Sequence, residues 1–135
     1  MADKVEFELV SPERLLVSQG VDMVVVPGED GDFGVLPGHA LFSSGVRPGV
    51  IEIYDGDKIS DRIFVAGGFA EVTGERCTVL AEEAVHLAEV ERTTVEARIR
   101  DNEQAISIAS PDEDVSSYRI DLGIGRALLE ALENK

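Results

Sequence analysis

Residues 4–10 read K-V-E-F-E-L-V, with Val5, Phe7 and Leu9 on one side and Lys4, Glu6 and Glu8 on the other. This period of two belongs to a half-buried strand. Ser11-Pro12 breaks it. A second short strand is expected over Arg14–Ser18, with a turn at Gln19-Gly20. The β-branched run Val21–Val26 predicts a more fully buried strand. After a glycine-rich stretch, Val50–Tyr54 alternates again. Asp55-Gly56, followed by Asp57-Lys58, has hairpin-turn chemistry. Ile59–Val65 returns, Gly67-Gly68 bends the chain, and Phe69–Val72 and Cys77–Ala81 form a last hairpin around Thr73-Gly74-Glu75. Regular turn signals without a helical period predict an all-β sandwich or barrel over residues 1–85.

The pattern changes after Ala88. Thr93 with Glu96 has the spacing of a capping box, and Glu96 and Arg100 are an i,i+4 pair. Val95, Ile99 and Ile106 share a face, interrupted by Asn102, and the first helix is expected to end near Ala109. Ser110-Pro111-Asp112-Glu113 reads as the start of a second helix. Its apolar stripe is Val115, Tyr118, Leu122, Gly125, Leu129 and Leu132, at heptad-like spacing. Gly123 and Gly125 weaken it. The short connection predicts an antiparallel two-helix hairpin over residues 86–135. The expected organisation is thus a β-sandwich domain (1–85) and a helical hairpin (86–135).

Between the third and fourth of these strands lies Val26–Gly49, with glycines at 28, 31, 34, 38, 45 and 49 and prolines at 27, 37 and 48. Such a stretch cannot continue as helix. It is expected to form tight turns joined by short extended pieces. It is also acidic: Glu29, Asp30 and Asp32 lie within it and Asp22 just before.

Charge narrows the function. The 135-residue chain has a formal net charge of −15, no Trp and one Cys. Such a charge excludes a phosphate-gripping nucleic-acid surface and disfavours anionic membranes; it favours basic partners. One cysteine allows neither an internal disulfide nor a cysteine zinc cage. The N-terminus lacks a signal-peptide pattern, and no apolar run reaches membrane-spanning length. A soluble protein is expected, meeting a membrane only through another protein.

Candidate chemistry is sparse. The only histidines, His39 and His86, have no metal-ligand spacing; His39 is expected to cap a turn or make a polar interface contact. Gly28, Gly31 and Gly34 match neither G-x-G-x-x-G nor a P-loop, no Lys follows, and three carboxylates stand where a phosphate would sit. The glycines are read as turn residues, Cys77 as a packing residue. Arg119 and Arg126 share a face of the second helix, where a basic stripe could meet an acidic partner. No cofactor, metal or catalytic residue is assigned. Three readings stay open from the residues alone: a docking subunit, a small-molecule (nucleotide)-responsive binding module, and an acidic enzyme with a cleft.

V-P-G-E-D-G-D-F-G-V-L-P-G-H-A at 26–40 and V-R-P-G at 46–49 resemble the epsilon subunit family of bacterial F-type ATP synthase. The likeness continues through V-S-P-E at 10–13, F-V-A-G-G-F-A-E-V at 64–72 and C-T-V-L-A-E-E-A at 77–84. It implies a ten-stranded β-sandwich followed by a helical hairpin. It also implies a non-catalytic rotor subunit at the cytoplasmic face of the plasma membrane, bound to the gamma subunit and the ring of c subunits. Glu29, Asp30, Gly31, Asp32 and Phe33 match the ring-facing loop, and His39 a position on the gamma side. In several members the C-terminal helices reach the alpha and beta catalytic subunits and inhibit ATP hydrolysis. Some members bind ATP through [IL]-D-x-x-R-A. The corresponding Val90, Glu91, Arg92, Thr93, Thr94 and Val95 lack its Asp and its Arg-Ala pair, so the guanidinium suited to phosphate is missing from its place.

Overall fold

In the computed structural model, residues 3–134 are described. Met1, Ala2 and Lys135, the ends of the two expected domains, lie outside the described residues. The chain divides into two compact units, Met1–Ala88 and Glu89–Lys135.

Among the described residues the first unit contains eight strands: β1 Val5–Val10, β2 Leu15–Val21, β3 Met23–Gly28, β4 Gly31–Val35, β5 Phe42–Gly45, β6 Gly49–Asp55, β7 Lys58–Val72 and β8 Arg76–His86. β1 pairs antiparallel with β2 and parallel with β8. β3 pairs antiparallel with β4 and β6. The two long strands join the layers. The first half of β7 pairs with β6, its last four residues pair with β5, and β8 runs along its other edge. One layer is therefore β2-β1-β8-β7-β5 and the other β8-β7-β6-β3-β4.

The corner is at Gly67 (φ 69°) and Gly68 (φ 125°), in the left-handed region that disfavours side chains. The side-chain parity of β7 flips there: Ile63 and Val65 enter the core before it, Ala70 and Val72 after it. β8 changes phase too, from Cys77, Val79 and Ala81 to the partly buried Ala84. Ten strands were expected and eight are found, because Gly67-Gly68 reads as a break whereas the chain passes from one layer to the other without losing its partner. The core between the layers is aliphatic apart from Phe7 and Cys77, with Val5, Leu9, Val24, Val26, Ile51 and Ile53 all at most 1% exposed. The expected turn at Gln19-Gly20 lies inside β2, held by pairing with Phe7 and Glu6.

The second unit is α1 (Arg92–Ile108) and α2 (Ser116–Glu133). Arg92, at the start of α1, pairs with Glu133, at the end of α2, while Arg98 and Glu103 further along α1 meet Asp121 and Arg126 earlier in α2, so the hairpin is antiparallel. Both helix starts differ from expectation. α1 begins one residue before Thr93, with Glu91 as N-cap and no side-chain cap. Arg92 rather than Arg100 pairs with Glu96. α2 begins after Val115, not at Pro111; Asp114 accepts hydrogen bonds from the Ser116 backbone N–H (2.9 Å) and hydroxyl. The connection is thus seven residues, 109–115, and α2 has 18 rather than about 22. The buried positions of α2 are Leu122, Gly125 and Leu128, so the seam is shifted from the outer members of the expected stripe.

Candidate functional site

The glycine-rich stretch is more regular than its composition suggests. β3 and β4 form a hairpin whose last rung is Gly28 opposite Gly31, leaving Glu29-Asp30 as a two-residue loop. Such loops normally need positive φ at a central residue so that the strands keep their twist. Here no non-glycine residue has positive φ, and Gly31 (φ 134°) absorbs the mismatch. Glu29, Asp30, Gly31 and Asp32 are all exposed. Glu29 and Asp30 have no ion-pair partner among the described residues. The segment after β5 closes over the hairpin: Glu29 N–H donates to Gly45 O (2.9 Å), Arg47 N–H donates to Pro27 O (3.0 Å), and Val46 bridges Gly28.

Phe33 differs from its neighbours. It is half-buried against the core, and its ring meets Phe42 edge-on at 4.9 Å between centroids. A Cβ on Gly28 would come within 2.9 Å of that ring. Phe33 therefore braces the hairpin with the buried part of its ring. Asp22 also stands apart from the tip: it pairs with Lys4 and accepts the Gly56 N–H at 2.6 Å, serving the β6–β7 turn.

His39 lies at the other end of β4, beyond Val35. Four strand steps separate Gly31 from Val35, about 13 Å. The acidic tip and the histidine are thus two features, one at each end of β4. Leu36-Pro37-Gly38-His39 is a turn closed by His39 N–H to Leu36 O (3.1 Å) and tied to the β7–β8 turn by Gly38 N–H to Gly74 O (2.9 Å). His39 Nδ1 lies 2.8 Å from Ala40 O. A carbonyl only accepts, so Nδ1 carries the proton and Nε2 is left as an acceptor in the neutral ring.

Exposed apolar side chains flank this turn, a signal that sequence reading missed: Leu41 is 80% and Leu36 54% exposed. A second group, exposed at Leu15, Leu80 and Phe69 and half-buried at Val10, runs straight across four strands. Leu15, Val10, Leu80 and Phe69 are successive cross-strand partners on β2, β1, β8 and β7. Their periodicity had read as ordinary strand; only the register aligns them into a row. Contiguous exposed apolar residues mark contact surfaces.

The helical unit shows where its arginines are used. Arg98 donates to Asp121 through Nε (3.1 Å) and NH2 (2.6 Å), and Asn102 Nδ2 donates to the same carboxylate at 2.6 Å and to Arg98 O at 2.9 Å. Asn102, which interrupts the apolar face in sequence, is buried and satisfied there. The Arg98 guanidinium holds the Asp121 carboxyl below its ordinary range. Arg126 pairs with Glu103. Of the degenerate nucleotide motif, Val95 is buried, Val90 is half-buried, and Glu91 and Thr94 are exposed within the α1 start. His86 Nδ1 pairs with Asp61 at 3.1 Å. Among the described residues, no group of three or more His, Cys, Asp or Glu side chains is placed to hold a metal ion.

A sandwich with a braced acidic hairpin, an apolar-flanked histidine turn and an antiparallel helical hairpin defines a protein built around presented turns. Residues 4–87 match the family description ATP synthase, Delta/Epsilon chain, beta-sandwich domain. The chain is 53% identical over 131 residues to the ATP synthase epsilon chain of Rhodospirillum rubrum, covering 97% of this chain and 98% of the relative. It is 51% identical over 140 residues to that of Rhodospirillum centenum, covering 100% and 96%. The chain belongs to the ATP synthase epsilon chain family. Among solved structures it resembles a chain of the Euglena gracilis mitochondrial ATP synthase, OSCP/F1/c-ring, with TM-score 0.74 and 27% identity over 97% of this chain and 80% of that one. It also shares the fold of a chain in the Tetrahymena thermophila mitochondrial ATP synthase central stalk/c-ring (TM-score 0.64, 15% identity, 96% and 98% covered).

Proposed function

We propose that this chain is a non-catalytic rotor subunit of the central stalk, joining the gamma subunit to the c-ring and coupling proton flow to ATP synthesis. The observation that carries the reading is the β3–β4 tip: Glu29 and Asp30 are exposed, free of ion pairs among the described residues, and fixed by backbone hydrogen bonds. A rigid acidic turn suits a basic loop, because little ordering entropy is lost on contact. The tip then faces the c-ring, and the His39 turn, with Leu36 and Leu41 beside it, faces gamma. Those apolar side chains supply the water-excluding area that a persistent protein contact needs. The subunit works at the cytoplasmic face of the plasma membrane through these partners; no helix among the described residues is long and apolar enough to cross a membrane.

The helical unit is the regulatory part, restraining ATP hydrolysis at the alpha and beta subunits. Nucleotide is not its ligand, because Arg92 and Arg98 are occupied by Glu96, Glu133 and Asp121. The docking reading is tested by the charge-reversed double variant Glu29→Lys, Asp30→Lys in the assembled enzyme. It is expected to keep ATP hydrolysis and gamma binding while ATP-driven proton pumping falls at least about tenfold, and the loss should be largest at low salt. Unchanged pumping would end the c-ring assignment. Calorimetry with ATP is expected to give no heat of binding.

A further inference from the structure

We propose that Arg47 is a positioning residue for the acidic tip, bracketing the β3–β4 hairpin so that Glu29 and Asp30 alone are presented to a basic partner loop. The proposal rests on the docking reading above. Its basis is a two-armed contact: Arg47 NH1 donates to Gly28 O at 2.5 Å, and NH2 donates to Asp32 Oδ1 at 2.5 Å. Gly28 belongs to the last rung of the hairpin and Asp32, opposite Pro27, to the next. The guanidinium thus spans the two rungs nearest the loop, one arm on each strand. A planar fork fits that separation, whereas the point charge of a lysine serves one arm at a time.

The backbone cooperates. Arg47 N–H reaches Pro27 O and Glu29 N–H reaches Gly45 O, so residues 45–47 lie along the hairpin as a third line of chain. Glu29 is seated by the same segment, because its carboxylate occupies the space that any side chain at Gly45 would need.

The bracket also sorts the charges. Asp32 is neutralised by Arg47. Glu29 and Asp30 are not paired among the described residues. The tip therefore presents two fixed negative charges rather than three, and the matching partner is a short loop with a pair of Lys or Arg side chains.

Two readouts on the full-length chain test this. The first is amide exchange at Glu29, whose N–H donates to Gly45; the second is affinity for the isolated c-ring. Arg47→Ala is expected to speed exchange at Glu29 about tenfold or more and to weaken c-ring binding about tenfold, with the thermal midpoint within ~2 °C of wild type, since the bracket is half-exposed. Arg47→Lys should recover part of the affinity and little of the protection. Unchanged exchange and affinity in Arg47→Ala, or full recovery of both by Arg47→Lys, would overturn the proposal. If Arg47→Ala speeds exchange but the wild-type chain does not bind the c-ring, the docking reading falls while the bracket itself stands.

Discussion

Two side chains show how differently single residues are used here. Cys77 is 0% exposed in the core, and burial pushes its thiol pKa up to about 12. The thiolate is the reactive form, so the native protein should not react with a disulfide reagent at pH 8 and should react fully once unfolded in guanidinium. Fast labelling of the native chain would contradict its packing role. Asp22 is the opposite case, exposed enough for water yet held by Lys4 and by the Gly56 N–H. The Lys4 hydrogen bond, first, and the Gly56 bond, second, depress its pKa below 3.8. A depressed carboxylate adds stability that is present above its unfolded pKa and lost as pH falls through the folded one. The difference in stability between wild type and Asp22→Asn should therefore be constant above about pH 5 and shrink below about pH 4. Urea midpoints across that range measure it, and a difference growing toward acid would refute the assignment. Neither partner of Asp22 was legible in the sequence. Lys4 and Gly56 lie 18 and 34 residues away, and only the folded register places them beside it.

At the scale of elements, what could be read was whatever is decided locally. The alternation of residues 4–10 became β1, and Asp55–Lys58 became a hairpin, because period and turn chemistry are properties of a few neighbouring residues. The helix starts were not legible because several capping sequences compete within a few residues of each other. The Arg98–Asp121–Asn102 network was invisible because its members sit 19 and 23 residues apart on two helices. Removing its centre should be felt: Asp121→Ala leaves the half-buried Arg98 without this carboxylate and should cost about 1 kcal/mol, a modest figure because water still reaches the pair. Glycines give sharper contrasts. A Cβ on Gly68 would run into the carbonyl of Leu80, in a backbone conformation that already excludes side chains, so Gly68→Ala should destabilise the sandwich by about 3 kcal/mol. On α2 the exposed Gly123 has open space around it, whereas a Cβ on Gly125 would meet Ile99 Cγ1 at 3.0 Å. Gly123→Ala should therefore stabilise the helical unit by up to ~1 kcal/mol, with Gly125→Ala gaining less or nothing. Equal gains would mean that the helices do not approach each other closely at Gly125.

For the molecule as a whole, the two units have unequal means of standing alone. The first holds a mainly aliphatic core of 18 buried residues closed by strands that share partners across both layers. Among the described residues the second buries only Val95, Leu122 and Leu128 of its large apolar side chains, and relies on ion pairs whose groups are mostly half-exposed. Fewer than fifty residues with so small a core fall below what usually sustains an independent fold, and isolated helices of this length are marginal in water. A chain ending at Glu89 is therefore expected to unfold cooperatively, with a midpoint close to that of the full chain's sandwich. A peptide of residues 89–135 is expected to show mostly unfolded circular dichroism at 25 °C. The same cut tests the regulatory assignment. Assembled with the other subunits, the truncated chain retains the acidic tip, Arg47 and the His39 turn, so proton coupling should survive. ATP hydrolysis should rise if the helices restrain it as proposed. A truncated enzyme that couples normally and hydrolyses ATP at the full-length rate would remove the regulatory role and leave the docking role intact. Lost coupling would instead mean that the sandwich cannot present its turns without the hairpin.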